Sequence, residues 1–165
     1  MPKSFLFVRH AKSSWKDPSL ADKDRPLNAR GKRDGPFMAS YCRTQGLIPD
    51  LLISSPAKRA HKTAKYFNEE FSPEKGLVIE SDLYFGSESD WEHLINTLDE
   101  QVRLPAFFSH NPTITFFANR LGSVTMDNVP TCGVVHLESS AELWSQVSDK
   151  NTRLVNYYFP KLIRT

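Results

Sequence analysis

Short runs of consecutive apolar residues alternate along the chain with segments whose apolar positions recur at helical spacing. The runs are Phe5–Val8, Leu51–Ile53, Leu77–Ile79, Pro105–Phe108, Val134–Leu137 and Leu154–Phe159. Each is too short for a helix, and each reads as a strand. The first five have the unbroken apolar character of strands buried on both faces. Between them, Ala60, Ala64, Phe67 and Phe71 form one helical stripe, and Trp91, Leu94, Ile95 and Leu98 form another. Ser55-Pro56 and Asn111-Pro112 read as helix starts, with proline at the first helical position, and Gly122 is placed to end the second of these helices. An earlier helix is expected over about residues 29 to 45 with Gly46 as its stop, although Pro36 inside it opposes helix by about 3 kcal/mol. Strand and helix in alternation predict an α/β fold. The expectation is one three-layer α/β/α domain over residues 1–165, with a mainly parallel sheet of about six strands.

In such sheets ligands bind beyond the carboxyl ends of the strands. The first strand runs into Arg9-His10, the second leads through Ser54-Ser55-Pro56 to Lys58-Arg59, and the fourth leads through Ser109 to His110. If those strands are neighbours, two histidines and two arginines converge on one pocket. Lys58 and Arg59 fall in the first turn of a helix, where the macrodipole disfavours cations by about 0.3–1 kcal/mol each, so an anion is expected to balance them. Helix N-termini supply free N–H groups for phosphate, and arginine supplies a planar fork that lysine cannot copy. Singly, each residue has a bland reading: Arg9-His10 as loop, Arg59 as a solvated helix residue, His110 as a helix cap. Three matched positions at three strand ends favour a phosphate site. His93 and His61 read as solvent-facing or rim residues, and His136 as a satisfied core histidine.

Composition changes this picture little. The 21 Lys and Arg against 19 Asp and Glu give a net charge of +2, which does not point to nucleic acid. Basic residues crowd the first fifth of the chain, but Asp17, Asp22, Asp24 and Asp34 are interspersed, as on a solvated face or a rim that steers an acidic partner. Eleven Phe, five Tyr and three Trp are too many for a disordered chain. No apolar stretch approaches the ~20 residues of a membrane helix, and no signal-peptide core follows Met1. Cys42 and Cys132 read as two reduced core thiols. A soluble cytoplasmic protein is expected, with no membrane partner. Neither HxxxH nor CxxC occurs, so no metal site is expected; GxGxxG, GxxxxGK[ST] and GxSxG are also absent.

Several of these stretches form an ordered set. Phe7–Ser13 (FVRHAKS), Arg25–Gly31 (RPLNARG), Ser54–Ala64 (SSPAKRAHKTA), His110–Thr113 (HNPT) and Val129–Val134 (VPTCGV) resemble the motifs of the histidine phosphatase superfamily, the phosphoglycerate-mutase-like group. They look most like the short SixA-type phosphohistidine phosphatases. The resemblance covers nearly the whole chain and implies that His10 is the nucleophile and is transiently phosphorylated. It implies that Arg9 and Arg59 hold the phosphoryl oxygens, that His110 completes the pocket, and that no metal or other cofactor takes part.

The chain departs from the larger members of that superfamily in two places. They carry a Glu after the third strand that protonates the leaving group; here that position falls near Phe85, with Asp82 and Glu88 nearby but out of register. They also place an Asn after the signature tryptophan, where this chain has Lys16-Asp17 after Trp15. An alkoxide is about as basic as hydroxide, the conjugate base of water with pKa ~15.7, and leaves poorly without a proton. Imidazole, with pKa ~6.5, can leave already protonated. The short loops Phe85–Trp91 and Thr125–Pro130 leave little room for a lid over a small substrate. A phosphatase acting on phosphohistidine of a partner protein is therefore expected. The alternatives are a phosphomonoesterase for small phosphate esters, with Asp82 or Glu88 as acid, and a phosphate-binding module without turnover. Oligomeric state is left open by the sequence.

Overall fold

The computed structural model describes residues 2–164. Strand β1 (Lys3–Arg9) is followed by an irregular strap and then α1 (Ala29–Thr44), β2 (Leu51–Ser54), α2 (Lys58–Phe71) and β3 (Leu77–Ile79). The short α3 (Asp82–Phe85), α4 (Glu88–Asn96), β4 (Pro105–Ser109), α5 (Thr113–Gly122), β5 (Val134–Ser139), β6 (Thr152–Tyr158) and a last turn α6 (Pro160–Ile163) complete the chain. All six strands form one sheet in the order β3-β2-β4-β1-β5-β6. Neighbours from β3 to β1 are parallel, and β5 and β6 are antiparallel.

Alternating side chains of the central strands feed two apolar layers. Phe5, Phe7, Ile53, Phe107 and Val135 pack under α4 and α5 with Trp91, Phe117 and Trp144. Leu6, Val8, Leu52, Phe108 and Val134 pack under α1 and α2 with Met38, Phe67 and Cys132. Both cysteines are buried and free, and burial pushes the Cys42 thiol up to about 12. Among the described residues, no helix is long and apolar enough to cross a membrane.

Several local expectations need correction. β3 is not buried on both faces: it is an edge strand, with Val78 and Ile79 exposed. A run of three apolar residues carries no information about which neighbours cover it. Helix α2 begins at Lys58 with Ala57 as its cap, two residues after the expected start, which frees Ser55 for another contact. Helix α5 likewise begins after Pro112; it ends at Gly122 as expected, but the left-handed conformation falls on Ser123 (φ 53°). Gly122 instead lies close to Leu154 and Leu137, where a side chain would crowd both. α1 continues through Pro36, held by Gly35, where a Cβ would overlap the Tyr66 ring of α2. His136 is half-buried and its Nε2 has no partner among the described residues, so it is not the satisfied core residue expected.

Candidate active site

Sheet register assembles the site. Arg9 at the end of β1 pairs with Ser109 at the end of β4, so the next residues, His10 and His110, emerge side by side. Their ring centroids lie 5.3 Å apart. Ser54 of β2 pairs with Phe108, which brings Ser55 and the start of α2 to the same end. The three strand ends that carry Arg9-His10, Arg59 and His110 are thus neighbours.

His10 is 6% exposed, and its Nδ1 lies 2.7 Å from the Ala11 carbonyl. A carbonyl can only accept, so Nδ1 carries the proton and Nε2 is left with a lone pair. Burial, with the charges of Arg59, Arg9 and Arg25, pushes the His10 pKa down to about 3 against the opposing hydrogen bond to Ala11. The ring is therefore neutral at neutral pH and its Nε2 is nucleophilic. The turn is fixed from both sides. The Ala11 N–H donates to Thr63 Oγ1 (2.9 Å), which donates to the Arg59 carbonyl (2.8 Å), and Cys132 N–H donates to the His10 carbonyl (3.0 Å). Gly31 lets the start of α1 press on this turn, since a Cβ there would overlap the Lys12 carbonyl oxygen.

His110 is held by Ser55, with Nε2 2.8 Å from Ser55 Oγ. That oxygen also accepts the Ala57 N–H (3.1 Å), and among the described residues its own proton has no acceptor except His110. Ser55 therefore donates to Nε2, and the His110 proton sits on Nδ1, which is buried and unpartnered. Burial and the nearby Arg59 push the pKa of this ring down to about 3, so it too is neutral. Ser55→Ala should remove this orientation and lower kcat/KM on the order of 10-fold. The check is a 15N spectrum of the histidine rings: the His110 tautomer signal changes in Ser55→Ala and returns in Ser55→Thr. A purely structural loss would leave the tautomer alone.

The two arginines complete the pocket. Arg9 donates through Nη1 to the Val129 carbonyl (2.9 Å), and that loop is tied by Asn111 and Thr115 to the start of α5. Arg59, 6% exposed, donates through Nη1 to the Asp22 carbonyl (2.8 Å) and through Nη2 to Asp22 Oδ2 (3.0 Å). The Nε atoms of both arginines are buried with no partner among the described residues. Unmet buried donors are rare, because each costs about 1–3 kcal/mol.

Asp22, Arg25 and Tyr84 are site neighbours that sequence reasoning did not single out. Asp22 lies on the strap after β1, which a bridge between Ser13 and Leu27 closes into a loop. Arg25, stacked 3.6 Å over the Trp15 ring, donates to Ser13 Oγ (2.8 Å) and to Asp22 Oδ1 (3.2 Å). The Tyr84 hydroxyl donates to Asp22 Oδ2 (2.8 Å), and its ring meets His110 edge-on at 5.4 Å. Tyr84 is placed by the Ser109 hydroxyl, which donates to the neighbouring Leu83 carbonyl. The first-turn cation is the signal: an anion is due beside Arg59, and Asp22 supplies part of it from within the chain.

Of the two acids considered from the sequence, Glu88 is engaged away from Asp22, and Asp82 lies at the start of α3. Glu88 is paired with Arg120 on α5 (3.1 Å), and Phe85, where the larger relatives carry Glu, is exposed to solvent. Asp82 offers its backbone carbonyl to the Trp91 ring nitrogen (3.0 Å). Lys58 is exposed, whereas Arg59 faces the pocket. His93 is exposed and His61 half-buried. Among the described residues no group of three or more His, Cys, Asp or Glu side chains could hold a metal ion.

Comparison with known proteins supplies the family and relatives of the same fold. An uncharacterised chloroplastic protein of Arabidopsis thaliana is 43% identical over 60 residues, which span 36% of this chain and 28% of that protein. The chain thus covers less than a third of that relative. A solved structure described as the proposed phosphohistidine phosphatase SixA of Agrobacterium tumefaciens superposes with a TM-score of 0.80 at 23% identity, covering 97% of this chain and 99% of that one. A mycobacterial glucosyl-3-phosphoglycerate phosphatase superposes with a TM-score of 0.69 at 13% identity, covering 94% and 98%. Residues 5–116, from β1 through the start of α5, match the model of the histidine phosphatase superfamily (branch 1), and the chain belongs to that superfamily.

Proposed function

We propose that the protein is a phosphatase that uses His10 as nucleophile and acts on a phosphoryl group bound to nitrogen, phosphohistidine of a partner protein being the natural case. One observation carries the reading: register sets the His10 and His110 rings side by side, 5.3 Å apart, and among the described residues Arg9 Nε, Arg59 Nε and His110 Nδ1 have no hydrogen-bond partner. Such donors call for an anion, and a phosphoryl group offers three oxygens to receive them.

The reaction follows in two displacements. The His10 Nε2 lone pair attacks phosphorus, and the bond to the leaving group breaks with its electron pair going to that group. Water then attacks the phosphorus of phospho-His10, releasing phosphate and restoring the imidazole. Arg9, Arg59 and His110 stabilise the equatorial oxygens in both steps.

The leaving group is read from what stands at the pocket edge. Glu88 is tied to Arg120, and Asp22 accepts hydrogen bonds from three side chains, so neither presents an acid to an alkoxide. The name of the Agrobacterium neighbour favours the same substrate class. The mycobacterial neighbour favours a second reading, a small phosphate ester. The two free buried thiols suit a reducing compartment, in keeping with a cytoplasmic site of action.

The test is turnover of a phosphohistidine peptide, p-nitrophenyl phosphate and phosphoserine, with and without EDTA. Hydrolysis of the first two alone, unaffected by EDTA, is expected. Efficient hydrolysis of phosphoserine would place the small-ester reading first. No hydrolysis of any of the three would favour a phosphate-binding module.

A further inference from the structure

We infer that Asp22 sets the substrate class: its carboxylate, held at the pocket edge by Arg59, Arg25 and Tyr84, favours a phosphoryl group on a cationic nitrogen over a phosphate ester. The inference rests on the phosphatase reading above and deepens it by naming the residue that discriminates.

The geometry leaves this carboxylate one role. A carboxylate offers about four lone-pair positions and, when ionised, only accepts. On Oδ2, one position receives Arg59 Nη2 (3.0 Å) and another the Tyr84 hydroxyl (2.8 Å); on Oδ1, one receives Arg25 Nε (3.2 Å). One position on Oδ1 stays open, and the side chain is 50% exposed, so an incoming group can reach it. A proton could enter only at that open position, and the two guanidiniums already bound to the carboxylate disfavour it. Partial burial works against the charge, but hydrogen bonds from Tyr84 and Arg59 outweigh it, and the carboxyl is pushed down to about 2. Asp22 therefore has an acceptor to offer and no proton.

The two leaving groups meet this acceptor differently. A phosphohistidine ring that carries a proton on the nitrogen remote from phosphorus is cationic. An anion beside it favours that protonated form. His10 Nε2 bonds to phosphorus, the P–N pair returns to the ring, and neutral imidazole departs with its remote proton in place. In a phosphate ester the pair goes to oxygen, where negative charge builds next to Asp22. No proton is supplied there, and like charges repel.

The experiment compares wild type, Asp22→Asn and Asp22→Glu on three substrates: a phosphohistidine peptide, inorganic phosphoramidate and p-nitrophenyl phosphate. Values of kcat/KM report the steps up to leaving-group departure, before the shared hydrolysis of phospho-His10. In Asp22→Asn the two P–N substrates should fall by about 10-fold, the equivalent of one pKa unit on the leaving group, while the ester changes by less than about threefold or rises. The alkaline limb of the peptide profile should also move to lower pH. Asp22→Glu, which keeps the charge, should keep the wild-type ratio. An equal change for all three substrates in Asp22→Asn, in either direction, would overturn the inference, because Asp22 would then only orient or block Arg59. A wild-type protein that hydrolyses the ester but neither P–N substrate would overturn the proposed substrate class as well.

Discussion

His10→Ala is expected to lose essentially all turnover, at least about 10^4-fold in kcat, on every substrate. The size follows from the site's economy of parts. Nε2 of His10 is the one unprotonated ring nitrogen left without a partner among the described atoms of the two rings, because His110 carries its proton on Nδ1 and its Nε2 is occupied by Ser55. Remove His10 and the arginines still bind a phosphoryl group, but nothing is left to attack it. Substrate affinity should therefore survive in His10→Ala, which equilibrium binding of inorganic phosphate or tungstate can check. Retained turnover in this variant would mean that another group attacks.

Arg59→Ala should cost about 10^3-fold in kcat/KM, comparable to the loss of an arginine that stabilises a transferring phosphoryl group. Two consequences of its position lie behind the figure. Arg59 keeps an Nε donor that has no partner among the described residues, and through Nη1 and Nη2 it holds Asp22. Arg59→Lys should recover only a small part of the loss, since one ammonium cannot reproduce both sets of contacts. Steady-state kinetics of the three proteins on p-nitrophenyl phosphate decide it. A lysine variant close to wild type would show that charge suffices and that the fork is not used.

The sequence carried the strand ends clearly, and physical reasons explain what it hid. Arg9-His10, Arg59 and His110 stood out because strong local signals surround them: apolar runs that stop abruptly, and a cation where a helix dipole disfavours one. Asp22 was hidden because the strap between β1 and α1 has no periodicity, and its acidic residues looked like a solvated face. The demand for an anion beside Arg59 was legible, but the sequence could not say that a carboxylate 37 positions away would share in meeting it. Ser55 was mistaken for a helix cap because its hydroxyl binds the Ala57 N–H as a cap would, while also serving His110. The edge position of β3 and the switch to antiparallel pairing at β5 are choices of strand order. Those depend on crossovers that no single apolar run encodes.

Covalent labelling of His10 shows whether this ring is the nucleophile. The protein is mixed with a phosphoryl donor, quenched in alkali within the first turnover, digested and mapped by mass spectrometry, alkali being chosen because a phosphoryl group on histidine survives it. One phosphoryl group is expected on the peptide containing His10, formed at least as fast as turnover and lost on the same timescale when the donor is removed. Turnover with His10 unlabelled, or with the label on a different residue, would contradict it.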